Sequence, residues 1–160
     1  MTLFDLFSKR RKFLPLYEQV WAVVEPHLTI KTDPADEIAH RLACFYYACV
    51  VYSLVYQAGV AAGMSSSSAF SVTRIQLGKY PFDEALRERV DTVFSADASG
   101  RESAFADQLQ GTMQRLVAGI KSGQQAASLG VASELAANEQ FFQAQDFAGN
   151  GIYPPLPVDA

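Results

Sequence analysis

The segment LACFYYACVVYSLVYQAGVAAG, residues 42–63, contains no charged side chain. A run of this length is either a membrane crossing or a helix enclosed by its own domain, because about 20 apolar residues span a hydrocarbon core and a helix apolar on every side must be covered. Its composition favours enclosure. Tyr46, Tyr47, Tyr52 and Tyr56 lie inside the run, whereas membrane helices place tyrosine near the interfaces where the hydroxyl meets water. Ser53, Gln57 and several Ala and Gly residues lower its apolarity, and Asp36, Glu37, His40 and Arg41 precede it in the same helical register. The run therefore reads as part of a buried central helix over about 34–64, with tyrosine hydroxyls finding partners at its edges. A membrane span over 42–63 is the alternative.

A buried central helix needs other helices around it, and the rest of the chain supplies their pattern. Apolar residues recur at three and four, with no sustained alternation. Leu14, Tyr17, Val20, Trp21 and Val24 mark a helix from about Pro15 to Glu25, and Asp33 and Pro34 fit the cap and first position of the central helix. A short helix is expected before Gly78, and an amphipathic one over 82–96 turns Phe82, Leu86, Val90, Val93 and Phe94 inward and Asp83, Arg87 and Asp91 to solvent. Two more follow: one from about Glu102 to Lys121, and one from about Gln125 to Phe147 with a kink at Gly130. These spans predict an all-α fold, a single-domain irregular helical bundle of five to six helices around the central one. The domain reading is a basic amphipathic leader at 1–13, a bundle at 14–148 and a Pro-rich tail at 149–160. A chain of 160 residues is long enough to bury a core without metals or disulfides.

Charge limits the partners. The formal net charge is -4, with a basic cluster of Lys9, Arg10, Arg11 and Lys12 near the start and no Lys or Arg after residue 121. A broad acidic surface disfavours nucleic acid and accommodates a cationic protein. Glu134, Glu139 and Asp146, together with Phe141 and Phe142, form the expected partner-binding face, an apolar centre with a charged rim. The leader could instead rest on an anionic membrane surface through Leu3, Phe4, Leu6, Phe7 and its basic residues. Cys44 and Cys49 lie five apart, on different helix faces, and are expected to stay reduced; with no signal-peptide pattern at the start, a cytoplasmic setting is expected.

Catalytic patterns are few. Glu37 and His40 form one E-x-x-H unit, a candidate metal pair that beside Asp33 and Asp36 could hold one ion, whereas a bundle di-iron site needs two such units and two further glutamates. Carboxylates in a first helical turn ordinarily complement the dipole. There is no nucleophile elbow or phosphate-cradling loop, neither cysteine is expected to have a histidine at an obvious local spacing, and no cofactor or catalytic residue is expected. The profile predicts a non-enzymatic protein that acts by binding another protein, as immunity-type toxin inhibitors and secretion adaptors do. The other readings are a membrane-associated protein using 1–13 or 42–63, and a bundle enzyme or small-ligand binder using Glu37, His40 and the tyrosines.

Overall fold

The computed structural model describes residues 3–28, 35–95, 98, 100–145 and 147, without the side chains of 3–10. The described residues form seven α-helices: α1 (Leu3–Val24), α2 (Glu37–Ala61), α3 (Ser66–Leu77), α4 (Glu84–Val93), α5 (Gly100–Lys121), α6 (Ala126–Leu129) and α7 (Val131–Ala144). A 3-10 turn at Glu25–His27 follows α1, and the described residues contain no strand. This is the all-α bundle expected.

The apolar run is the core of α2, with Phe45, Tyr46, Val50, Leu54, Val55 and Ala58 at most 1% exposed. By length and composition α2 would suffice to cross a membrane, yet α1, α3, α4 and α5 all pack on it. Its bounds are tighter than expected. Asp36 caps it, in an extended conformation with its carboxylate accepting from Ala39 N at 3.1 Å, and residues 33 and 34, to which the cap and first position were assigned, lie outside the described residues. It ends at Ala61, and Gly63, just past the Ala62 cap, has a φ of +93° that favours a residue without a Cβ. There Gly63 N bonds Val60 O and Met64 N bonds Gly59 O, both at 3.0 Å, the paired bonds of a Schellman stop. The same pair of bonds ends α5, from Gly123 N to Ile120 O and from Gln124 N to Gly119 O.

Side-chain pairs fix the helix directions. Gly59 meets Ala69 and Tyr52 meets Phe70, so α3 runs back along α2. Phe105 lies against Tyr46, Gln110 bonds Ser53 and Gln57, and Lys121 Nζ donates to Ala61 O at 2.7 Å, so α5 runs parallel to α2. Helix α7 returns antiparallel along α5, pairing Glu134 with Arg115 and Phe142 with Phe105.

Three departures from the sequence reading have local causes. Helix α1 starts at Leu3 and runs through Pro15, so the basic residues belong to the same helix as the core stripe of Phe13, Leu16, Tyr17, Val20 and Val24. The proline lacks an N–H and costs that helix a hydrogen bond, which the burial on either side outweighs. The kink at Gly130 is a full break with φ +63°, dividing α6 from α7. The charged face of α4 is not free in solvent: Asp91 pairs with Arg74 at 3.4 Å and Arg89 with the nearly buried Glu102 at 3.0 Å. The proposed stop at 149–151 and the tail at 149–160 lie outside the described residues.

Candidate functional site

Helices α1 and α3 leave a cleft of about 440 Å³ between them. The buried stripe of α1 passes through Phe13, Leu16 and Tyr17, which leaves Leu14 turned aside and 48% exposed. The buried stripe of α3 is Ala69, Thr73 and Leu77, spaced by four, which leaves Ile75 on its flank and 55% exposed. Both line the cleft, together with Phe13, Pro15 and Val72, and Arg11 and Lys79 add two positive charges. The two hydroxyls of Tyr17 and Tyr80 meet at 3.0 Å and tie α1 to the segment that follows α3. The wall is therefore braced, and its apolar surface is presented to solvent.

The expected partner-binding face on α7 is arranged differently. Phe142 is 3% exposed and packs against Phe45, Tyr46, Phe105 and Phe147, and Phe141 packs against the core half-buried. Neither supplies an exposed apolar centre. Glu134 is not uncompensated: its Oε2 accepts from Arg115 Nη2 at 2.8 Å and Thr112 Oγ1 at 3.0 Å. The Arg115 bond holds the Glu134 carboxyl below its usual pKa. Asn138 donates to Thr112 Oγ1 and Glu134 O, both at 2.8 Å, completing a polar seam between α5 and α7. Glu139 is half-buried and near enough to Tyr46 to help burial raise that phenol's pKa. Asp146 lies outside the described residues. The sequence neighbours of Glu134 carry no Lys or Arg, and its cation comes from another helix, as Arg115 on α5.

Glu37 is exposed in the first turn of α2, and His40 turns toward a different neighbour. Its Nε2 lies 3.8 Å from Cys44 Sγ, four residues on, which corrects the expectation that neither cysteine has a histidine at a local spacing: side chains four apart meet on one helix face. Burial raises the Cys44 thiol, Arg41 offsets part of that and Asp83 adds to it. The pair keeps a protonated thiol rather than an activated thiolate. Cys49 is fully enclosed and its pKa is likewise raised by burial. Among the described residues no three His, Cys, Asp or Glu side chains converge as metal ligands.

The four tyrosines of the apolar run diverge. Tyr46 is sealed among phenylalanines, and its hydroxyl has no hydrogen-bond partner among the described residues, contrary to the expectation that every such hydroxyl finds one. Tyr47 packs on Trp21, Tyr80 and Phe82, and burial pushes its pKa up to about 12. Tyr52 and Tyr56 line a second cavity, between α2, α3, α5 and the end of α4. Periodicity placed these residues on one helix but could not assign each to a neighbour. No protein-family model, curated protein or solved structure matches the chain.

Proposed function

We propose that this protein is a non-enzymatic helical binding protein that receives one amphipathic helix of a protein partner in the cleft between α1 and α3. The observation that carries the reading is the pair of half-exposed side chains, Leu14 and Ile75, on two braced helices around an apolar cleft. Helix-in-groove recognition uses such a surface, with apolar anchors at three- and four-residue spacing on the incoming helix. Arg11 and Lys79 select a partner with acidic residues beside its apolar stripe, which moves the site away from the acidic α7 face first expected to bind a cationic protein. Inhibition of a toxin or delivery to a secretion apparatus is the form such binding would take. Two free cysteines suit a reducing, cytoplasmic setting.

The test is cross-linking in native lysate with the wild-type protein and with a Leu14→Asp/Ile75→Asp variant. Both positions are half-exposed, so helicity and Tm should be retained while the cross-linked partner is lost. Retention of the same partner by the folded variant would reject the cleft. Loss on reversing Glu134 and Glu139 to Lys instead would return the site to α7, and recovery of the wild type only with the membrane fraction would favour a lipid-facing role for α1 or α2.

A further inference from the structure

The second cavity is built from different chemistry. It holds about 650 Å³, within the range of small-ligand sites. Tyr52 and Phe94 stack at 4.3 Å with planes 10° apart, and Phe70 meets Tyr52 edge-on at 6.4 Å. On the α5 side, Ser53 Oγ and Gln57 Nε2 both donate to Gln110 Oε1, at 2.8 and 2.9 Å, and fix the orientation of that amide. On the α3–α4 side stands Asp91, the one charged residue among the described residues that line the cavity.

The protein already places a cation at this edge. The guanidinium carbon of Arg74 lies 5.4 Å from the centre of the Phe70 ring, and its Nη2 lies 3.4 Å from Asp91 Oδ2. That separation is long for a charge-assisted hydrogen bond, and the Arg74 side chain is 61% exposed. Asp91 Oδ1 is enclosed without a donor among the described residues, which leaves Arg74 as the carboxylate's ion-pair partner there. Burial accordingly raises the Asp91 carboxyl above its usual pKa, with Arg74 offsetting part of the cost.

We propose that the cavity binds an organic cation of the alkylguanidinium or alkylammonium class, with its charge between the Asp91 carboxylate and the face of Phe70 and its alkyl chain along the Tyr52–Phe94 stack. A ring face and a carboxylate together attract a cation more strongly where both are partly shielded from water. Arg74 is then a tethered competitor, an internal copy of the ligand's head group that a free cation displaces. Anions are excluded by Asp91, and neutral molecules of the same shape lose both charge contacts. The ligand can be a free polyamine-like molecule or an arginine or lysine side chain of a protein, since both present the same head group.

The test is calorimetric titration of the full chain with agmatine, with the tripeptide Gly-Arg-Gly and with butylurea as the neutral control. Wild-type protein should bind agmatine and not butylurea. Arg74→Ala should bind agmatine at least threefold more tightly, because the competitor is gone, and Phe70→Ala and Asp91→Asn should each weaken binding at least tenfold with helicity unchanged. Phe70 is 36% exposed, so that variant reports on the site even if Asp91→Asn disturbs the fold. Tighter binding of the tripeptide than of agmatine would assign the head group to a protein side chain, and the reverse order to a free amine. Equal binding of butylurea, or unchanged or weaker agmatine binding by folded Arg74→Ala, would overturn the proposal. Neither result bears on the α1–α3 cleft, which shares no lining residue with this cavity.

Discussion

Two aromatic groups sit six residues apart on α2 and meet opposite fates. Around Tyr46, the rings of Phe45, Phe105, Phe142 and Phe147 close on one another with centroids 5.0–6.4 Å apart. Around Tyr52, Phe94 stacks and Phe70 meets the ring edge-on, and beside them a cavity is left open. The residue types hardly differ. What differs is the neighbour: α7 brings Phe142 onto the first group, whereas α2, α3, α5 and the end of α4 enclose the second only in part and leave a cavity beside it. Aromatic content therefore does not decide whether a region becomes core or cavity; the neighbour does.

Alkaline titration tests both groups at once and should have the largest effect. Burial raises the pKa of Tyr17, Tyr46 and Tyr52 above that of a free phenol. A raised folded pKa means that the contribution of each tyrosine is fully present below about pH 10 and is lost as pH rises toward its folded pKa, at up to about 1.4 kcal/mol per pH unit for each. The three together remove up to about 4 kcal/mol per pH unit above about pH 10, so the bundle should unfold at a pH above roughly 11 that rises with its total stability, about 5–15 kcal/mol. Phenolate absorbance and helicity should change in one transition. Phenolate absorbance from all seven tyrosines at pH 10.5 with helicity intact would show that neither group is closed.

Truncating a ring in each group should give unequal losses. Phe142→Ala removes a ring from the sealed group and should cost about 3–5 kcal/mol, a Tm decrease of roughly 10 °C in a chain of this length. Phe70→Ala, at the open group, should cost less, about 1–2 kcal/mol, since that residue is 36% exposed. Similar Tm changes would erase the distinction between core and cavity.

Acid should separate the polar seam from both aromatic groups. Glu134 has a depressed pKa, so its contribution is present above the unfolded value of about 4.3 and lost as pH falls through the lower folded one. Arg115 is 62% exposed, and solvent limits the pair to about 1 kcal/mol or less. Arg115→Gln should therefore flatten the stability profile below pH 4.5 while changing Tm only slightly at pH 7. Smallest of all is Tyr46→Phe. Its hydroxyl is enclosed without a partner, a state that costs rather than stabilises, so the variant should match the wild type or gain up to about 1 kcal/mol in urea denaturation. A loss above 1 kcal/mol would reveal a partner for that hydroxyl.

The architecture was legible because helical periodicity records which residues turn inward. The 22 uncharged residues of the apolar run, Gly123 at the end of α5 and Gly130 between the last two helices all correspond to observed features. Helix starts were less legible. Asp33 and Asp36 are equivalent as candidate caps in sequence, and a proline inside α1 reads as a start when the stripe on both sides is not weighed. The candidate sites were hardly legible at all. Glu134 meets Arg115, Tyr52 meets Phe94, and Leu14 and Ile75 share a cleft, each pair joining helices whose relative placement no periodicity encodes. His40 and Cys44 are the exception, since a four-residue spacing on one helix was open to reading.

The parallel course of α2 and α5 bears on how the chain finds its fold. Two parallel helices cannot be joined by a tight turn, because the end of one lies a full helix length from the start of the next. Here α3 and α4 occupy the return path. The α2–α3 hairpin closes over a four-residue link and can form early, whereas Phe105 meets Tyr46, and Lys121 meets Ala61, only after loop closure across α3 and α4. Sequence-distant contacts of this kind slow folding relative to an up-and-down bundle of the same size. During synthesis the apolar run of α2 therefore emerges well before the helix that covers its Phe105 side, and for that interval one face of the most apolar segment of the protein is uncovered.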